Sequence, residues 1–185
     1  MTAAQADHAS PHRKPAEIPG LKLDTPRLED GGALWRIARD SRTLDLNSSY
    51  SYLLWCRDFA ATSVVARDDT GEPVGFVTGY VRPERSRTLV IWQVAVDHAQ
   101  RGRGLAGAML DDLTERVTRE RGVDRLETTI TPDNTASQRL FTSYATRHGA
   151  AVEREVLFPR ELFPDGDHQP ELLYRIGPLG TAAAR

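Results

Sequence analysis

The feature that most constrains this chain is the loop Arg101-Gly102-Arg103-Gly104-Leu105-Ala106, set between an aliphatic run and an amphipathic helix. Before it, Thr88 to Val96 is rich in aliphatic residues and suits a central strand with both faces covered. After it, Leu105, Met109, Leu113 and Val117 recur at four-residue steps, which predicts a helix to about Arg121 with Gly122 as its stop. Two glycines let the backbone turn tightly, so that successive N–H groups converge beside the unsatisfied donors of the helix start and form a seat for phosphate. Arg101 and Arg103 add charge-assisted contacts. The dinucleotide fingerprint needs a third glycine near a first strand, and it is missing here. A P-loop needs Gly-Lys followed by Ser or Thr, and the two lysines, Lys14 and Lys22, are far away.

Any phosphate recognition must be local. The chain has 185 residues, the size of one domain, and its 24 basic and 26 acidic residues leave a net charge of -2. That balance gives no bulk attraction to nucleic acid or anionic membrane. No apolar run approaches the roughly 18 residues of a membrane helix, and the N-terminus lacks a hydrophobic signal core, so a cytoplasmic location is expected. Cys56 is the only cysteine, which excludes an internal disulfide and a Cys-rich metal cluster. It follows Leu53-Leu54-Trp55 and suits small core filling. Among the histidines only His8 and His12 have the i, i+4 spacing of a helical metal site, and they fall in a polar leader. No metal is expected.

Residues 1–17 lack apolar periodicity and read as a disordered leader, and from Gly177 onward Gly, Pro and Ala mark a flexible tail over 177–185. The folded body is therefore expected over 18–176 as one domain. Leu21 to Leu23 opens it as a strand, and Asp30-Gly31-Gly32 signals the start of a helix from about Ala33 to Asp40. A polar and aromatic stretch, Leu44 to Tyr52, leads into a short helix. Ser63 to Ala66 and Pro73 to Val81 form a hairpin across a turn-rich connector. Arg125 to Ile130 is a further strand, Thr131 to Asn134 a turn into a second long helix that runs to about His148, and Val152 to Phe158 and Leu172 to Ile176 the last strands. The sum is an α/β sandwich around a mixed sheet.

The pattern Arg101-x-x-Gly104-x-Ala106, after a central strand and opening a helix, resembles the acyl-CoA-binding motif of the GNAT N-acetyltransferases. The resemblance runs in order from about Leu21 to Ile176. It implies a single-domain fold with a mixed, mostly antiparallel central sheet flanked by helices, and acetyl-CoA as co-substrate. It implies that Arg101, Gly102, Arg103, Gly104, Leu105 and Ala106 hold the pyrophosphate, and that Asn134, with Ser137 and Phe141 on the following helix, lines the pantetheine arm. Trp92-Gln93-Val94-Ala95-Val96 is similar to the family's splayed, bulged strand, so Val94, Ala95 and Val96 are expected along the pantetheine, with the Val94 N–H as oxyanion donor. One departure stands out: many members have Tyr where this chain has Phe141. Tyr144, three residues on, is the expected substitute as acid for the departing thiolate, although a thiolate also leaves passably unaided.

The segment Leu44 to Cys56, with Gly75 to Tyr80 and Trp92 to Val96, resembles the L-2,4-diaminobutyrate acetyltransferases. That resemblance implies acetylation of the 4-amino group of L-2,4-diaminobutyrate, giving the precursor of the osmoprotectant ectoine, by a homodimer. A small diamino acid needs acidic and hydroxyl groups with an aromatic wall. Asp45, Ser49, Tyr50, Tyr52 and Trp92 supply those types, and the resemblance adds Glu171 as a second carboxylate. Direct attack by the neutral amine is expected, with Asp45 or Glu171 taking its proton, directly or through water. The alternatives are an acetyltransferase for another small amine or peptide, and a non-catalytic acyl-CoA-binding sensor. A nucleic-acid module lacks a broad basic face.

Overall fold

The computed structural model describes residues 18–42, 44–164 and 168–180. The expected leader over 1–17 and residues 181–185 lie outside them. The chain runs through β1 (Lys22–Asp24), α1 (Gly31–Ser41), α2 (Ser49–Asp58), β2 (Val64–Arg67), β3 (Pro73–Arg82) and β4 (Arg85–Val96). It continues through α3 (Leu105–Arg121), β5 (Arg125–Ile130), α4 (Thr135–Arg147), β6 (Ala151–Phe158) and β7 (Glu171–Gly177). The strands form one sheet in the order β1-β2-β3-β4-β5-β7-β6. Every neighbouring pair is antiparallel except β4 with β5. This is the mixed, mostly antiparallel α/β architecture expected.

Helices cover both faces because the strands are apolar on both. In β2, Val64 and Ala66 enter one core while Val65 enters the other, as side-chain alternation demands. The larger core takes the predicted stripe of α3, Leu105, Met109, Leu113 and Val117, together with Phe141, Tyr144 and Ala145 of α4. The smaller one takes Leu34, Ile37 and Ala38 of α1, at helical spacing, and Tyr52 and Cys56 of α2. Each fully buried aliphatic side chain contributes about 1.5–3 kcal/mol. Cys56 is 3% exposed, and burial first, then the Asp30 charge, pushes its thiol up to about 11. It is core filling.

α1 starts at Gly31, behind the expected Asp30-Gly31-Gly32 signal, although Asp30 makes no side-chain cap bond. Its carboxylate is buried and takes both terminal nitrogens of Arg67, at 2.8 and 2.7 Å, and the Arg27 N–H at 2.6 Å. The flexible tail does not begin at 177. Gly177 closes β7, and Leu179 is 5% exposed in the larger core with its N–H donating to the Asp124 carbonyl at 2.7 Å.

Candidate active site

The sheet opens where the motif residues gather. β4 and β5 pair only through Thr88, Val90 and the intervening Leu89, against Arg125 to Glu127. Beyond that point β5 stays with β7, Thr128 opposite Tyr174 through Ile130 opposite Leu172, while β4 stays with β3. Among the described residues, the β4 edge facing β5 therefore has no ladder partner past Val90. The pairing with β3 steps from Thr78–Gln93 to Gly79–Ile91, so Trp92 is the extra residue of a bulge. A Cβ on Gly79 would lie 2.6 Å from the Val90 carbonyl oxygen, which is why glycine stands opposite the bulge. The Asp97 N–H donates to the Val74 carbonyl of β3. Strand alternation then turns the amides of Val96 and Val94 away from β3, toward the opening.

The loop after β4 brings a helix start to the same opening. Gly102 and Gly104 adopt φ of 77° and 76°, a region closed to most side chains. The first amide bonded within α3 is that of Ala108, to the Gly104 carbonyl at 3.1 Å. The amides of Leu105, Ala106 and Gly107 thus lack intrahelical acceptors, and the helix dipole places positive charge there. Both arginines are exposed and partly engaged. Arg101 Nε donates to the Val96 carbonyl at 3.3 Å, and Arg103 bonds Gln100 and the Pro19 carbonyl. At α4, Asn134 Oδ1 accepts the Ser137 N–H at 3.0 Å, leaving its amide nitrogen free to donate elsewhere. Phe141 and Tyr144 both fall on the core face of α4, because residues three apart share a side of a helix. The Tyr144 hydroxyl is enclosed without a hydrogen-bond partner among the described residues, and burial raises its pKa strongly. It does not stand open to a thiolate as the sequence reading expects.

The acceptor residues divide differently from the expectation. Tyr50 is 64% exposed, and Ser49 is exposed beside it at the start of α2. Tyr52 is fully buried, because two residues along a helix turn it by about 200°. Its hydroxyl donates to Gln93 Oε1 at 3.0 Å, and Gln93 Nε2 donates to the Asp45 carbonyl at 2.9 Å. Gln93 therefore straps the Asp45 segment to β4 one residue from Val94. Trp92 is half exposed and stacks on Trp55, with Phe59 and Tyr80 completing an aromatic wall.

Glu171 opens β7, and the connection before it carries a residue that sequence reasoning did not assign, His168. Its Nε2 lies 3.1 Å from Asp45 Oδ2 and 3.8 Å from Glu171 Oε1. Its Nδ1 lies 2.6 Å from the Gln169 carbonyl, and its ring stacks on Phe163 at 3.9 Å. The Gln169 carbonyl first, then Asp45 and Glu171, raise the His168 pKa. Burial raises that of Glu171, with the Asp45 and Asp133 charges adding to it against Thr129 and His168. The spacing His168-x-x-Glu171 was the available signal, and the lone Gln in an aliphatic strand was the signal for Gln93. A cleft of about 540 Å³ at the other end of the sheet has Glu127 at its wall, paired with Arg175 of the same wall at 3.4 Å and with Arg82 at 2.9 Å.

This geometry has known counterparts. Residues 32–145 match the Acetyltransferase (GNAT) family. An L-2,4-diaminobutyric acid acetyltransferase of Streptomyces anulatus is 67% identical over 98% of this chain and 100% of its own length. One from Marinococcus halophilus is 47% identical over 88% of this chain and 92% of its own. The solved diaminobutyrate acetyltransferase of Paenibacillus lautus, in complex with its substrate L-2,4-diaminobutyric acid and coenzyme A, is 38% identical. It superposes with a TM-score of 0.79 over 85% of this chain and 95% of its own. The chain belongs to the GNAT acetyltransferases, and within them to the L-2,4-diaminobutyric acid acetyltransferases.

Proposed function

We propose that this chain transfers acetyl from acetyl-CoA to the 4-amino group of L-2,4-diaminobutyrate, giving N4-acetyl-L-2,4-diaminobutyrate, the precursor of ectoine. The observation that carries the reading is the strap through Gln93, which joins the unpaired edge of β4 to the Asp45–His168–Glu171 cluster. One side suits an acyl thioester and the other suits an ammonium.

In this mechanism the amides of Gly102 to Ala106 and the α3 start hold the pyrophosphate, with Arg101 and Arg103 closing over it. The outward backbone of Val96 pairs with the pantetheine arm from one side, the Ala95 amide being turned to β3, and Asn134 and Ser137 border it from the other, with Phe141 behind them in the core. The Val94 N–H, aimed at the opening, stabilises charge developing on the acetyl oxygen. Asp45 and Glu171 hold the diamine's ammonium groups beside Ser49, Tyr50 and Trp92, while Tyr52 acts at one remove by fixing Gln93. The neutral amine attacks directly, the N–C bond forming as the C–S bond breaks. Its proton goes to the acidic cluster, and the thiolate leaves without help from Tyr144.

The working unit in this reading is a cytoplasmic homodimer. Among the described residues no helix is long and apolar enough to cross a membrane. Edge strand β6 leaves Val156, Leu157 and Phe158 exposed beside a rim that has no ladder partner among the described residues, which suits a partner copy. The deciding assay is thiol release from acetyl-CoA with diaminobutyrate, ornithine, lysine, spermidine and a short peptide, followed by NMR of the product. Preference for diaminobutyrate with acetylation at N4 is the expected result. Preference for another amine overturns the acceptor, and no release with any of them overturns the enzyme in favour of a sensor.

A further inference from the structure

We propose that His168 is the residue that takes the proton from the acceptor amine, with Glu171 holding the ammonium beside it and Asp45 passing the proton on to water. The proposal rests on the reading that an amine is the acceptor at this end of the site.

Two contacts fix the orientation of the His168 ring. The Gln169 carbonyl, 2.6 Å from Nδ1, can only accept, so Nδ1 carries a proton in every state of the ring. Phe163, stacked on the ring at an interplanar angle of 12°, fixes its plane. Nε2 is left facing two carboxylates, Asp45 at 3.1 Å and Glu171 at 3.8 Å. A bare lone pair in that position is repelled by both anions, so the arrangement favours a cation beside Nε2, which a proton supplies in the free enzyme and an ammonium once the amine is bound. The two occupants compete. The remaining groups that bear on the site are the Asp133 charge and the Thr129 hydroxyl, both acting on Glu171.

The sequence of protonation follows. In the free enzyme Nε2 is protonated and paired with Asp45. An entering ammonium supplies the cation in its place, and the Nε2 proton leaves through Asp45, whose side chain is 84% exposed. Neutral Nε2 then faces the ammonium with an open lone pair and accepts one of its protons. The freed amine attacks the thioester carbonyl, the N–C bond forms, and the C–S bond breaks. The second proton lost from nitrogen ends on the departing sulfur, so each turnover delivers one amide, one thiol and one proton to water. A carboxylate is a poor acceptor for this step, because its pKa lies ~6 units below that of an alkylammonium. An imidazole held between carboxylates is much closer to the match that proton transfer near neutrality requires.

The test uses His168→Gln and His168→Asn, which keep a polar amide near Nε2 and Nδ1 respectively but cannot take the proton. In wild type, kcat/KM for the diamine should rise with pH and level off once His168 is neutral. In both variants it should fall by about 100-fold or more near neutrality and keep climbing toward the amine's own ionisation, near ~10. Acetyl-CoA affinity should be unchanged, which separates the effect from misfolding. A levelling-off at the wild-type pH in either variant, or a loss under about threefold, overturns the proposal. A second measurement needs no variant: calorimetry of diamine binding below the levelling-off pH, in buffers of different ionisation enthalpy, should show about one proton released, and none released overturns it. If wild type prefers a different amine, the same profile on that amine tests His168 while the acceptor assignment alone falls.

Discussion

Asp30 shows how a single residue can be placed by a partner that its neighbours in sequence do not reveal. Burial alone would raise its carboxyl, yet the hydrogen bonds from Arg67 and Arg27 bring it below its ordinary value. A carboxyl lowered on folding stabilises the protein above its unfolded pKa, and that contribution is lost as pH falls through about 4 and below. Asp30→Ala, which leaves buried Arg67 with only Asp24, 3.8 Å from its Nε, as counter-ion, should cost about 3 kcal/mol at pH 7. Urea unfolding at pH 7 and pH 3 should show the gap between wild type and variant shrinking at the lower pH, and a constant gap would count against the pair. In the sequence Asp30 reads as a helix signal because it precedes Gly31-Gly32, and Arg67 is separated from it by α1 and α2. The same limit applies at the site. Residue type singled out Asp45, Tyr50 and Trp92, and the family resemblance added Glu171, but only the turn of α2 separates exposed Tyr50 from buried Tyr52. His168 matters through its position between Glu171, three residues on, and Asp45, 123 residues away, and the local spacing signals only the first of these.

At the scale of elements, periodicity was a good guide. The four-residue stripe and Gly122 bound α3 at Leu105 and Arg121 as expected, and β5 likewise spans Arg125 to Ile130. Both are fixed locally, by one apolar face and by turn residues at each end. The start of α3 also carries the sharpest test of the phosphate seat. Gly104 has open space where a Cβ would stand, so a side chain there is opposed by the positive φ rather than by a clash. Gly104→Val should therefore reorient the loop amides while the helix behind them persists. Acetyl-CoA affinity should fall by more than about tenfold with unchanged circular dichroism, the equivalent of the ~1–3 kcal/mol cost of a strained backbone residue. Unchanged affinity by calorimetry would remove the pyrophosphate from this loop. What periodicity does not contain is the parting of β4 from β5. Pairing is a property of two strands with α3 between them in sequence, and nothing within Trp92 to Val96 states how long their ladder is.

For the whole molecule, the proposed homodimer has a direct measurement. Sedimentation equilibrium at micromolar concentration should give twice the 20.6 kDa of the chain, and a mass of one chain would overturn it. The folded boundary also proved a property of the whole. Leu179 lies in a Gly- and Pro-rich stretch that reads as tail, yet it fills the main core because β7 delivers it there. The same holistic view applies to the sheet. β1 to β4 form one body and β5, β7 and β6 another, and their shared ladder ends at Val90. Past Val90 one core, with α3 and α4 over it, spans both bodies in place of a shared ladder. In the proposed mode of binding, a coenzyme along the open edge of β4 is a missing strand as well as a reactant, and its binding should stabilise the fold by mass action. Such an enzyme is most rigid in mid-reaction and softest just after the spent coenzyme departs.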